Sequence, residues 1–505
     1  MNEKHTLKEY LETLEKAGTL VSHTLPDELL DHKIECLTYD TRKISSDALF
    51  VCKGAHFKPE YLSAALKGGA VAYVCSTDSG FDLPDGIFVN DVRKSLAPLA
   101  KLFHNDAQGS LCKIGITGTK GKSTTLYYLK SILDLYLESK GKKNCAFISS
   151  IDTYDGVERF ESHITTPDVF ELWEHFENAV RSGITHLAME VSSQALKYGR
   201  SDLVEFDFAA FTNIGEDHIS DVEHKDFEDY FTSKLKIFDS CRTAVINTDS
   251  DHADRISAYA KGRCNILTYG SSPSDDVSVS NVEKREDGIY FTVKTPEWTK
   301  EMLITMPGLF NVSNALCAAA LSYSLGIGPE YIAEGLREAR VSGRMQVYNS
   351  ADGKIVIIVD YAHNKMSFDA LYDTVRKEYP GYSVVSVFGC PGKKAFKRRF
   401  DLGESANANA DFVVLCEEDS GEESFESIAS DIRTKITDVP CVLIEDRKKA
   451  LEYAVRMTEG EKKVILFTGK GEETRLKRGN EYVDAPTDVA LSLGELEYYD
   501  SLVFN

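Results

Sequence analysis

The sequence predicts an α/β protein of three domains, each built around a sheet with parallel strands. Short continuous runs of Val, Ile, Leu and Phe alternate with helix-like segments through most of the 505 residues. Such runs are typical of parallel strands covered by helices on both faces. A chain of this length exceeds what one hydrophobic core supports, so two to four domains are expected. Polar seams at 104–111 and 339–354 place the domains at 1–109, 110–340 and 341–505.

Composition and charge favour a globular protein of the cytoplasm. The net charge of -22 argues against binding to nucleic acid or anionic membranes, because those surfaces repel an acidic protein. The N-terminal stretch MNEKHTLKEYLETLEKAG reads as a polar helix without the apolar segment of a secretory signal. No apolar run is long enough to predict a membrane-spanning helix. The eleven cysteines include no C-x-x-C pair, so reduced thiols are expected and structural zinc is not.

The stretch KIGITGTKGKSTTLYYL, residues 113–129, has the order strand, glycine-rich turn, helix. A common phosphate-binding loop reads G-x-x-x-x-G-K-[ST], but here Ile116 occupies the position of the first glycine. The context still suits phosphate, since backbone N–H groups and a helix N-terminus would face the anion. Lys122 can reach the terminal phosphates of a nucleotide, and Ser123 can offer a hydroxyl to Mg²⁺. The alternative is a glycine-rich turn without a ligand.

Three further segments of the predicted central domain carry polar side chains near strand ends. Glu190 ends the apolar strand in LAMEVSSQAL, where ligands of open α/β sheets collect, and is a candidate Mg²⁺ ligand. Asp217 and His218 follow a strand that ends at Asn213, which suggests contact with a metal or phosphate. Lys234 lies on the next predicted helix, where a single lysine is usually a solvated charge. Capping and surface exposure are the alternatives for the others.

The later part of the chain carries further candidates. Asn311 lies on the first turn of an alanine-rich helix, either as a cap or as an amide that recognises a purine. Arg344 lies at the second seam, where a phosphate clamp could close. Asp360 and His363 follow the strand in IVDYAHN. The stretch FGCPGKKAFKRRFDLG places a basic turn after a strand, as an anion site or a solvated loop.

A change of pattern occurs inside the predicted central domain. The stretch NVEKREDGIYFTVKTPEWTKEMLITM, residues 281–306, alternates apolar and polar side chains. It contains an Asp-Gly pair, which favours a tight turn between antiparallel strands. We therefore expect a β-hairpin inserted in this domain.

Taken in order, these segments resemble the Mur ligase family over nearly the whole chain. The matching stretches are GITGTKGKSTT, TTPD, MEVSSQAL, FTNIGEDHISDVEHKDFEDYFTSK, PGLFNVSNALCAA, SGRMQV, DYAHN and GKGEE. Members form amide bonds with ATP, so the resemblance implies a ligase that uses ATP and Mg²⁺. It also implies an N-terminal uridine-binding α/β domain, a central P-loop ATPase-like domain with a parallel sheet, and a Rossmann-like C-terminal domain. The stretch LTYDTRKISSDALFVCKG resembles the branch that makes UDP-N-acetylmuramyl tripeptides.

The resemblance also implies a role for each matching residue. Contacts with ATP would come from Gly118, Thr119, Lys120, Gly121, Lys122, Ser123, Thr124, Asn311, Arg344, Asp360 and His363. Contacts with the UDP-MurNAc-dipeptide would come from Thr41, Arg42, Thr165, Thr166, Ser192 and Arg200. The metal-proximal residues would be Ser123, Glu190, His218 and Lys234, the last carbamylated by CO₂ and so converted to an anionic oxygen ligand. The catalytic residues would be Lys122, Lys234, His218 and Arg344.

The identity of the added amino acid depends on the last domain. The resemblance implies amino-acid contacts from Arg399, Glu418, Asp419, Gly469 and Glu473. Members that add diaminopimelate commonly carry D-N-P-R here, whereas this chain reads CEEDSGEES. The missing arginine would pair with the distal carboxylate of diaminopimelate, and clustered carboxylates favour an incoming cation. L-Lysine is the leading candidate, while meso-diaminopimelate or another diamino acid stays open.

Three other hypotheses fit the sequence less well than this ligase. A folylpolyglutamate-type synthetase lacks a uridine-binding first domain of this kind. A non-catalytic paralogue would be expected to lose Lys122, Glu190, His218 or Lys234, and all four are present. A plain P-loop ATPase does not need the amino-acid elements of the last domain. The expected partners are therefore the UDP-MurNAc-dipeptide and an amino acid, with no nucleic acid, no membrane insertion and a monomeric chain.

Overall fold

The described residues of the computed structural model are 3–54, 57–80, 83–217, 219–220, 223–285, 287–341, 343, 345–393, 396–457 and 461–503. Within them, the strands form sheets of five, eleven and six strands and one two-stranded hairpin. Most sheet neighbours are parallel and helices pack against the sheets, so the predicted α/β fold class is confirmed. None of the helices in these ranges is long and apolar enough to cross a membrane. Short 3₁₀ turns lie at Thr41–Lys43, Thr77–Ser79, Ala107–Ser110 and Lys236–Ser240.

The first sheet is formed near the N-terminus. Its helices are α1 Leu7–Lys16, α2 Asp27–Leu30, α3 Pro59–Gly68 and α4 Val92–Phe103. Its strands are β1 Leu20–His23, β2 Cys36–Thr38, β3 Ala48–Val51, β4 Ala70–Ser76 and β5 Gly86–Val89. The order is β1-β5-β4-β3-β2, and all neighbours are parallel except β1 and β5. Helix α1 begins where it does because Thr6 and Glu9 cap each other's backbone N–H groups.

The second sheet is the largest and carries the glycine-rich loop. Its strands are β6 Cys112–Thr117, β7 Ala146–Ile148, β8 Asp152–Tyr154, β9 Arg159–Glu161, β10 His186–Glu190, β11 Phe206–Phe211, β12 Cys241–Asn247, β13 Asn265–Gly270, β14 Val277–Arg285, β15 Gly288–Lys294 and β16 Thr299–Ile304. Its helices are α5 Lys122–Ser139, α6 Val169–Arg181, α7 Ser193–Lys197, α8 Phe227–Leu235, α9 Ala253–Ala260, α10 Phe310–Ser324 and α11 Pro329–Glu338. Strand β6 lies between β10 and β11, parallel to both, so the loops that follow these three strands open at one edge.

The predicted hairpin insertion is confirmed and is larger than expected. Strands β14 and β15 are antiparallel, and β16 adds a third antiparallel strand. They extend the second sheet beyond β13 rather than forming a separate unit. The sequence pattern missed the start of β14 at Val277, because that end of the strand pairs with β13 and is buried.

The third sheet lies in the last part of the chain. Its strands are β17 Gln346–Asn349, β18 Ile355–Asp360, β19 Ser383–Phe388, β20 Phe412–Leu415, β21 Cys441–Leu443 and β22 Lys463–Thr468, followed by the hairpin β23 Arg475–Arg478 and β24 Glu481–Asp484. Its helices are α12 Lys365–Glu378, α13 Phe396–Asn409, α14 Phe425–Arg433, α15 Arg447–Arg456 and α16 Asp488–Val503. The order is β17-β18-β22-β19-β20-β21, with only β17 antiparallel to its neighbour. The carboxyl ends of β18, β22 and β20 therefore share one edge.

Candidate active site

The loop between β6 and α5 passes so close to its neighbours that two of its residues must be glycine. Gly118 and Gly121 have φ angles of 144° and 80°, a region that other residues rarely adopt. A Cβ on Gly118 would lie 2.0 Å from the hydroxyl oxygen of Thr212, and one on Gly121 would lie 2.1 Å from Oδ1 of Asn314. The unusual glycine spacing thus reflects a tight turn that packs against the end of β11 and against α10. Helix α5 begins at Lys122, directly after the turn, so its N-terminal N–H groups face the loop opening.

Two lysines converge on one backbone carbonyl of this loop. Lys122 Nζ donates to the carbonyl oxygens of Gly118 at 2.9 Å and of Thr119 at 3.2 Å. Lys234 Nζ, from α8, donates to the same Gly118 oxygen at 2.8 Å, and Lys234 is only 2% exposed. Burial, and then the charge of Lys122, lowers the pKa of Lys234 well below its usual value. Lys234 is therefore neutral, and nucleophilic, at lower pH than an exposed lysine.

Oxygen atoms beside the loop form a set that suits Mg²⁺. Glu190, at the end of β10, is 1% exposed, and its Oε1 accepts from the backbone N–H of Ser150 at 2.8 Å and from the Ser150 hydroxyl at 3.3 Å. The hydroxyl oxygens of Ser123 and Ser150 are 3.1 Å apart. Ser150 thus connects Ser123 and Glu190, two of the predicted metal-proximal residues, through hydrogen bonds to both. A carboxylate and hydroxyls next to a phosphate loop are the hard oxygen donors that Mg²⁺ prefers.

Asp217 connects the loop to the C-terminal domain. Its carboxylate lies 3.4 Å from Lys120 Nζ and accepts from the side-chain amide of Asn364 at 2.7 Å. Arg398 Nη2 lies 3.8 Å from the other carboxylate oxygen. Lys120 belongs to the loop, whereas Asn364 caps α12 and Arg398 lies on α13. The central and C-terminal domains therefore meet over the loop through one almost buried carboxylate.

Three consecutive acidic residues follow β20, and they have different partners. Glu417 is paired with Arg478 at 2.6 Å, and Asp419 is paired with Lys470 at 3.0 Å. The Glu418 carboxylate makes no hydrogen bond or ion pair with a described residue, although Glu418 is only 8% exposed. Burial, and then the charge of Asp419, raises the pKa of Glu418 to about 7. Glu418 is the member of this acidic loop that is available to a ligand.

A buried ion pair holds the acidic loop against the glycine loop that follows β22. The Arg447 guanidinium binds the Asp488 carboxylate through two hydrogen bonds, of 2.7 and 3.0 Å. Arg447 also donates to the carbonyl oxygens of Glu417 at 3.0 Å and Thr468 at 3.1 Å. The Asp488 carboxylate accepts from the backbone N–H of Gly471 at 3.0 Å. One pair from α15 and α16 thus fixes both loops.

Replacing Arg447 with alanine is expected to lower the free energy of unfolding by about 3–5 kcal/mol, because it leaves the Asp488 carboxylate buried and unpaired. The double variant Arg447→Met with Asp488→Leu should recover part of this loss, since it removes both charges. Urea unfolding would measure both effects. Lys448→Ala, on the same helix with its side chain 60% exposed, is the control and should change little. A free energy of unfolding for Arg447→Ala within about 1 kcal/mol of the wild-type value would contradict the assigned role.

Three of the predicted contacts for the UDP-linked substrate lie beside the strand end that carries Glu190, namely Thr166, Ser192 and Arg200. The Thr166 hydroxyl donates to the carbonyl oxygen of Glu190 at 3.0 Å and accepts from the backbone N–H of Ser192 at 3.0 Å. Arg200 donates to the carbonyl oxygen of Thr166 at 3.3 Å. These three residues therefore form one connected group with the strand end that carries Glu190.

An ion pair joins this group to the first domain. Asp168 binds Lys53 at 2.9 Å and lies 3.5 Å from Arg200. Lys53 Nζ lies 4.2 Å from the ring centroid of Tyr39, close to the 3₁₀ turn that holds Thr41 and Arg42. The side chain of Arg42 is 88% exposed and pairs with Asp40. Lys53 therefore joins the first domain to the central domain, while Arg42 remains at the surface.

The phosphate loop, the metal-suited oxygens and the acidic loop surround one cavity of about 300 Å³ between the central and C-terminal domains. Its lining residues are Thr119, Lys120, Gly121, Lys122, Ser123, Thr124, Ser150, Thr165, Glu190, Asp217, Glu223, Tyr361, His363, Ser367, Pro391, Arg398, Glu418, Asp419 and Gly469. A nucleotide phosphate, a carboxylate and an amine could meet in this space.

Comparison with protein-family models matches residues 116–322 to the Mur ligase middle domain and residues 343–471 to the Mur ligase, glutamate ligase domain. The chain belongs to the Mur ligase family. The UDP-N-acetylmuramoyl-L-alanyl-D-glutamate--L-lysine ligase of Enterococcus faecalis is 35% identical to it, over 94% of this chain and 93% of that protein. The enzyme of the same name from Streptococcus agalactiae is 36% identical, over 88% and 89% of the two chains.

Solved structures of Mur ligases and related synthases share the fold. A UDP-N-acetylmuramoyl-L-alanyl-D-glutamate--2,6-diaminopimelate ligase matches with a TM-score of 0.66 and 21% identity over 100% of both chains. A folylpolyglutamate synthase of Mycobacterium tuberculosis matches with a TM-score of 0.61 and 15% identity, over 74% of this chain and 91% of that one. At these identities the likeness concerns the fold alone.

Twelve of the residues predicted from the likeness to Mur ligases line the cavity. Those on its lining are Thr119, Lys120, Gly121, Lys122, Ser123, Thr124, Thr165, Glu190, His363, Glu418, Asp419 and Gly469. Lys234 and Gly118 lie directly beneath it, joined by their hydrogen bond. Asp360 accepts from the backbone N–H groups of Met345 and Ala362, and so shapes the loop after β18. His218 and Arg344 lie outside the described residues.

Three residues predicted as ligand contacts already have partners within the protein. The buried Asn311 amide donates to the carbonyl oxygen of Pro307 at 2.7 Å, so the side chain is engaged at the start of its own helix, as the capping alternative expects. Arg399 is fully buried and binds Glu423 and Asp431, so its guanidinium does not reach the cavity. Glu473 is paired with Lys470 beside the glycine loop.

Sequence reasoning also missed residues that border the cavity. Ser150 and Arg398 lie on its lining. Ser150 follows the short apolar strand β7, and that position at a strand end was a usable signal. Arg398 lies inside the basic stretch after β19. It differs from its neighbour Arg399 only in the direction in which the helix presents its side chain. The pair of Arg447 and Asp488 gave no signal, since these residues lie far apart in the sequence and meet only in the fold.

Proposed function

We propose that this chain is an ATP-dependent ligase that adds L-lysine to UDP-N-acetylmuramoyl-L-alanyl-D-glutamate. The single observation that carries the proposal is the shared cavity. It brings the lysines of a phosphate loop, oxygens suited to Mg²⁺ and an uncommitted carboxylate of the C-terminal domain into one space. The names of the E. faecalis and S. agalactiae relatives support the same substrate and amino acid.

The reaction has two steps. The free carboxylate of the D-glutamyl residue attacks the γ-phosphorus of ATP, which forms an acyl phosphate and releases ADP. The α-amine of lysine then attacks the acyl carbon, and the tetrahedral intermediate collapses to the amide and inorganic phosphate. Lys122 and the N–H groups at the start of α5 offset the charge on the phosphoryl group in transfer. Placing three substrates in one closed cavity supplies much of the remaining acceleration.

Mg²⁺ and a carbamylated lysine belong to this proposal. Ser123 and Glu190 would hold Mg²⁺, which neutralises phosphate charge when bound. CO₂ adds to an unprotonated amine, so the lowered pKa of Lys234 favours its carbamylation. The carbamate would present anionic oxygen beside Gly118 in place of the amine. His218 and Arg344 keep their proposed roles at the metal and at ATP.

The charges of the C-terminal domain favour lysine over diaminopimelate. Lys470 and Arg478 already pair with the carboxylates next to Glu418, so Glu418 is the one that would receive the side-chain ammonium of lysine. Arg399, which could have met a second carboxylate, is committed to Glu423 and Asp431. We place the reaction in the cytoplasm, where ATP and nucleotide-linked precursors occur, and assign it to a monomer with domains at 1–109, 110–340 and 341–505.

Lysine use should depend on the ionisation of Glu418. Its carboxyl has a raised pKa of about 7, so it loses its charge as the pH falls through that value. The ratio of kcat/KM for lysine between wild type and Glu418→Gln should be constant above about pH 8 and should fall about tenfold per pH unit below 7. Taking the ratio cancels the titration of the substrate amine. Glu422→Gln, an exposed neighbour, should keep the wild-type profile; a ratio for Glu418→Gln that does not change with pH would contradict the assignment.

Product analysis tests the proposed activity. The chain is mixed with UDP-MurNAc-L-Ala-D-Glu, ATP and Mg²⁺ and with L-lysine, meso-diaminopimelate, L-ornithine or no amino acid. We expect a lysine amide by mass, with one ADP and one phosphate per amide. Absence of an amide with every amino acid would sink the proposal.

A further inference from the structure

One arginine with a largely buried side chain lies over the phosphate loop. Arg398 lies in the first turn of α13, lines the main cavity, and has a side chain that is 15% exposed. Among the described residues it makes no hydrogen bond, and its only ion pair, to Asp217, is 3.8 Å long. A guanidinium carries five N–H donors in a planar fork, and those of Arg398 are open to the cavity, where a planar pair of anionic oxygens could accept from two of them. The position therefore favours an anionic ligand.

The two neighbours of Arg398 are already engaged. Lys397 is 68% exposed and pairs with Glu216 at 2.8 Å, outside the main cavity. Arg399 is fully buried, with hydrogen bonds to Glu423 and Asp431. Of these three cations in a row, Arg398 is the one that points into the reaction space.

The charges around Arg398 indicate which anion it meets. Asp217 lies between Arg398 and Lys120, so the guanidinium is held on the phosphate-loop side of the cavity. Its charge also contributes, after burial, to a pKa of His363 well below the usual value, so the imidazole beside it is neutral. On the amino-acid side of the cavity, Asp419 is already paired with Lys470.

We infer that Arg398 contacts the γ-phosphoryl group as it passes from ADP to the substrate carboxylate. This inference rests on the proposed function. In that step a bond forms between the carboxylate oxygen and phosphorus while the bond to the ADP oxygen breaks, and two N–H groups of the guanidinium offset charge on the phosphoryl oxygens. Because Arg398 belongs to the C-terminal domain, the packing of that domain over the loop completes the site.

The first half-reaction can be measured without amino acid. Hydroxylamine traps the acyl phosphate as a hydroxamate when UDP-MurNAc-L-Ala-D-Glu, ATP and Mg²⁺ are present. Arg398→Gln should slow hydroxamate formation by about 100-fold, the scale found for loss of one transition-state donor. The KM for lysine should stay within about threefold. Arg398→Lys should recover part of the rate, because it restores the charge without the planar fork. Lys397→Gln is the matched control and should leave the rate unchanged.

The outcomes separate the inference from the function on which it rests. Wild-type enzyme that forms neither hydroxamate nor lysine amide overturns both. Wild-type activity together with full hydroxamate formation by Arg398→Gln overturns the inference alone. A raised KM for lysine with unchanged hydroxamate formation would instead assign Arg398 to the carboxylate of the amino acid. Nucleotide binding and thermal unfolding show whether each variant is folded. If Arg398→Gln is not folded, the rate of hydroxamate formation by Arg398→Lys provides the test.

Discussion

Replacing Lys122 with alanine is expected to reduce the rate of amide formation by about 1,000-fold or more. Lys122 begins α5 and rests on the carbonyl oxygens of Gly118 and Thr119, so a bound phosphate would exchange these contacts for charge-assisted ones. The loss should appear in kcat and kcat/KM together, because the interaction strengthens as charge develops on the phosphoryl group.

Steady-state rates with saturating UDP-MurNAc-L-Ala-D-Glu, lysine and Mg-ATP measure this effect. Lys140→Ala is the control, since Lys140 is an exposed lysine at the other end of the same helix. The control should keep wild-type rates. Retention of more than about a tenth of the wild-type activity by Lys122→Ala would show that Lys122 does not take part in phosphoryl transfer.

Replacing Lys234 with alanine is expected to reduce activity by a similar factor, about 1,000-fold, with partial recovery in formate or acetate. The substitution removes the amine that would be carbamylated and leaves a space beside Gly118 that a small carboxylate can fill. Wild-type activity should fall when CO₂ is stripped from the buffer and return with bicarbonate, since carbamylation of a low-pKa amine is reversible.

Carbon-13 NMR with labelled bicarbonate tests the same residue directly. A carbamate signal is expected in wild-type protein and not in Lys234→Ala. Lys236→Ala, an exposed lysine two positions along the chain, should keep both the signal and the activity. Full activity of Lys234→Ala would contradict the assigned role, and so would a carbamate signal that persists in this variant.

Local features of the site were predictable from the sequence. The phosphate loop is continuous in sequence, so its strand, glycines and Lys122 follow from a short motif. Glu190 was predictable because it ends an apolar strand, and ligands gather at that edge of a parallel sheet. These inferences need only the local pattern and the direction of the strands.

Features that depend on packing were not predictable. Adjacent residues of a helix point about 100° apart, and only the docking of α13 decides that Arg398 faces the cavity while Arg399 is buried. The pairing of Lys470 with Asp419 joins residues that are distant in the chain, so the sequence did not reveal that one acidic side chain was already neutralised. The sequence left Asn311 either as a cap or as a purine ligand, because only the packing of α10 shows that its amide is held by the Pro307 carbonyl and by Asn314.

A competition assay tests the proposed activity most directly. Equimolar L-lysine and meso-diaminopimelate are supplied together with UDP-MurNAc-L-Ala-D-Glu, ATP and Mg²⁺, and the nucleotide-linked products are separated by mass. The proposal predicts the lysine tripeptide as the main product, formed with one ADP per amide. A main product that contains diaminopimelate, or ATP consumption without any amide, would contradict it.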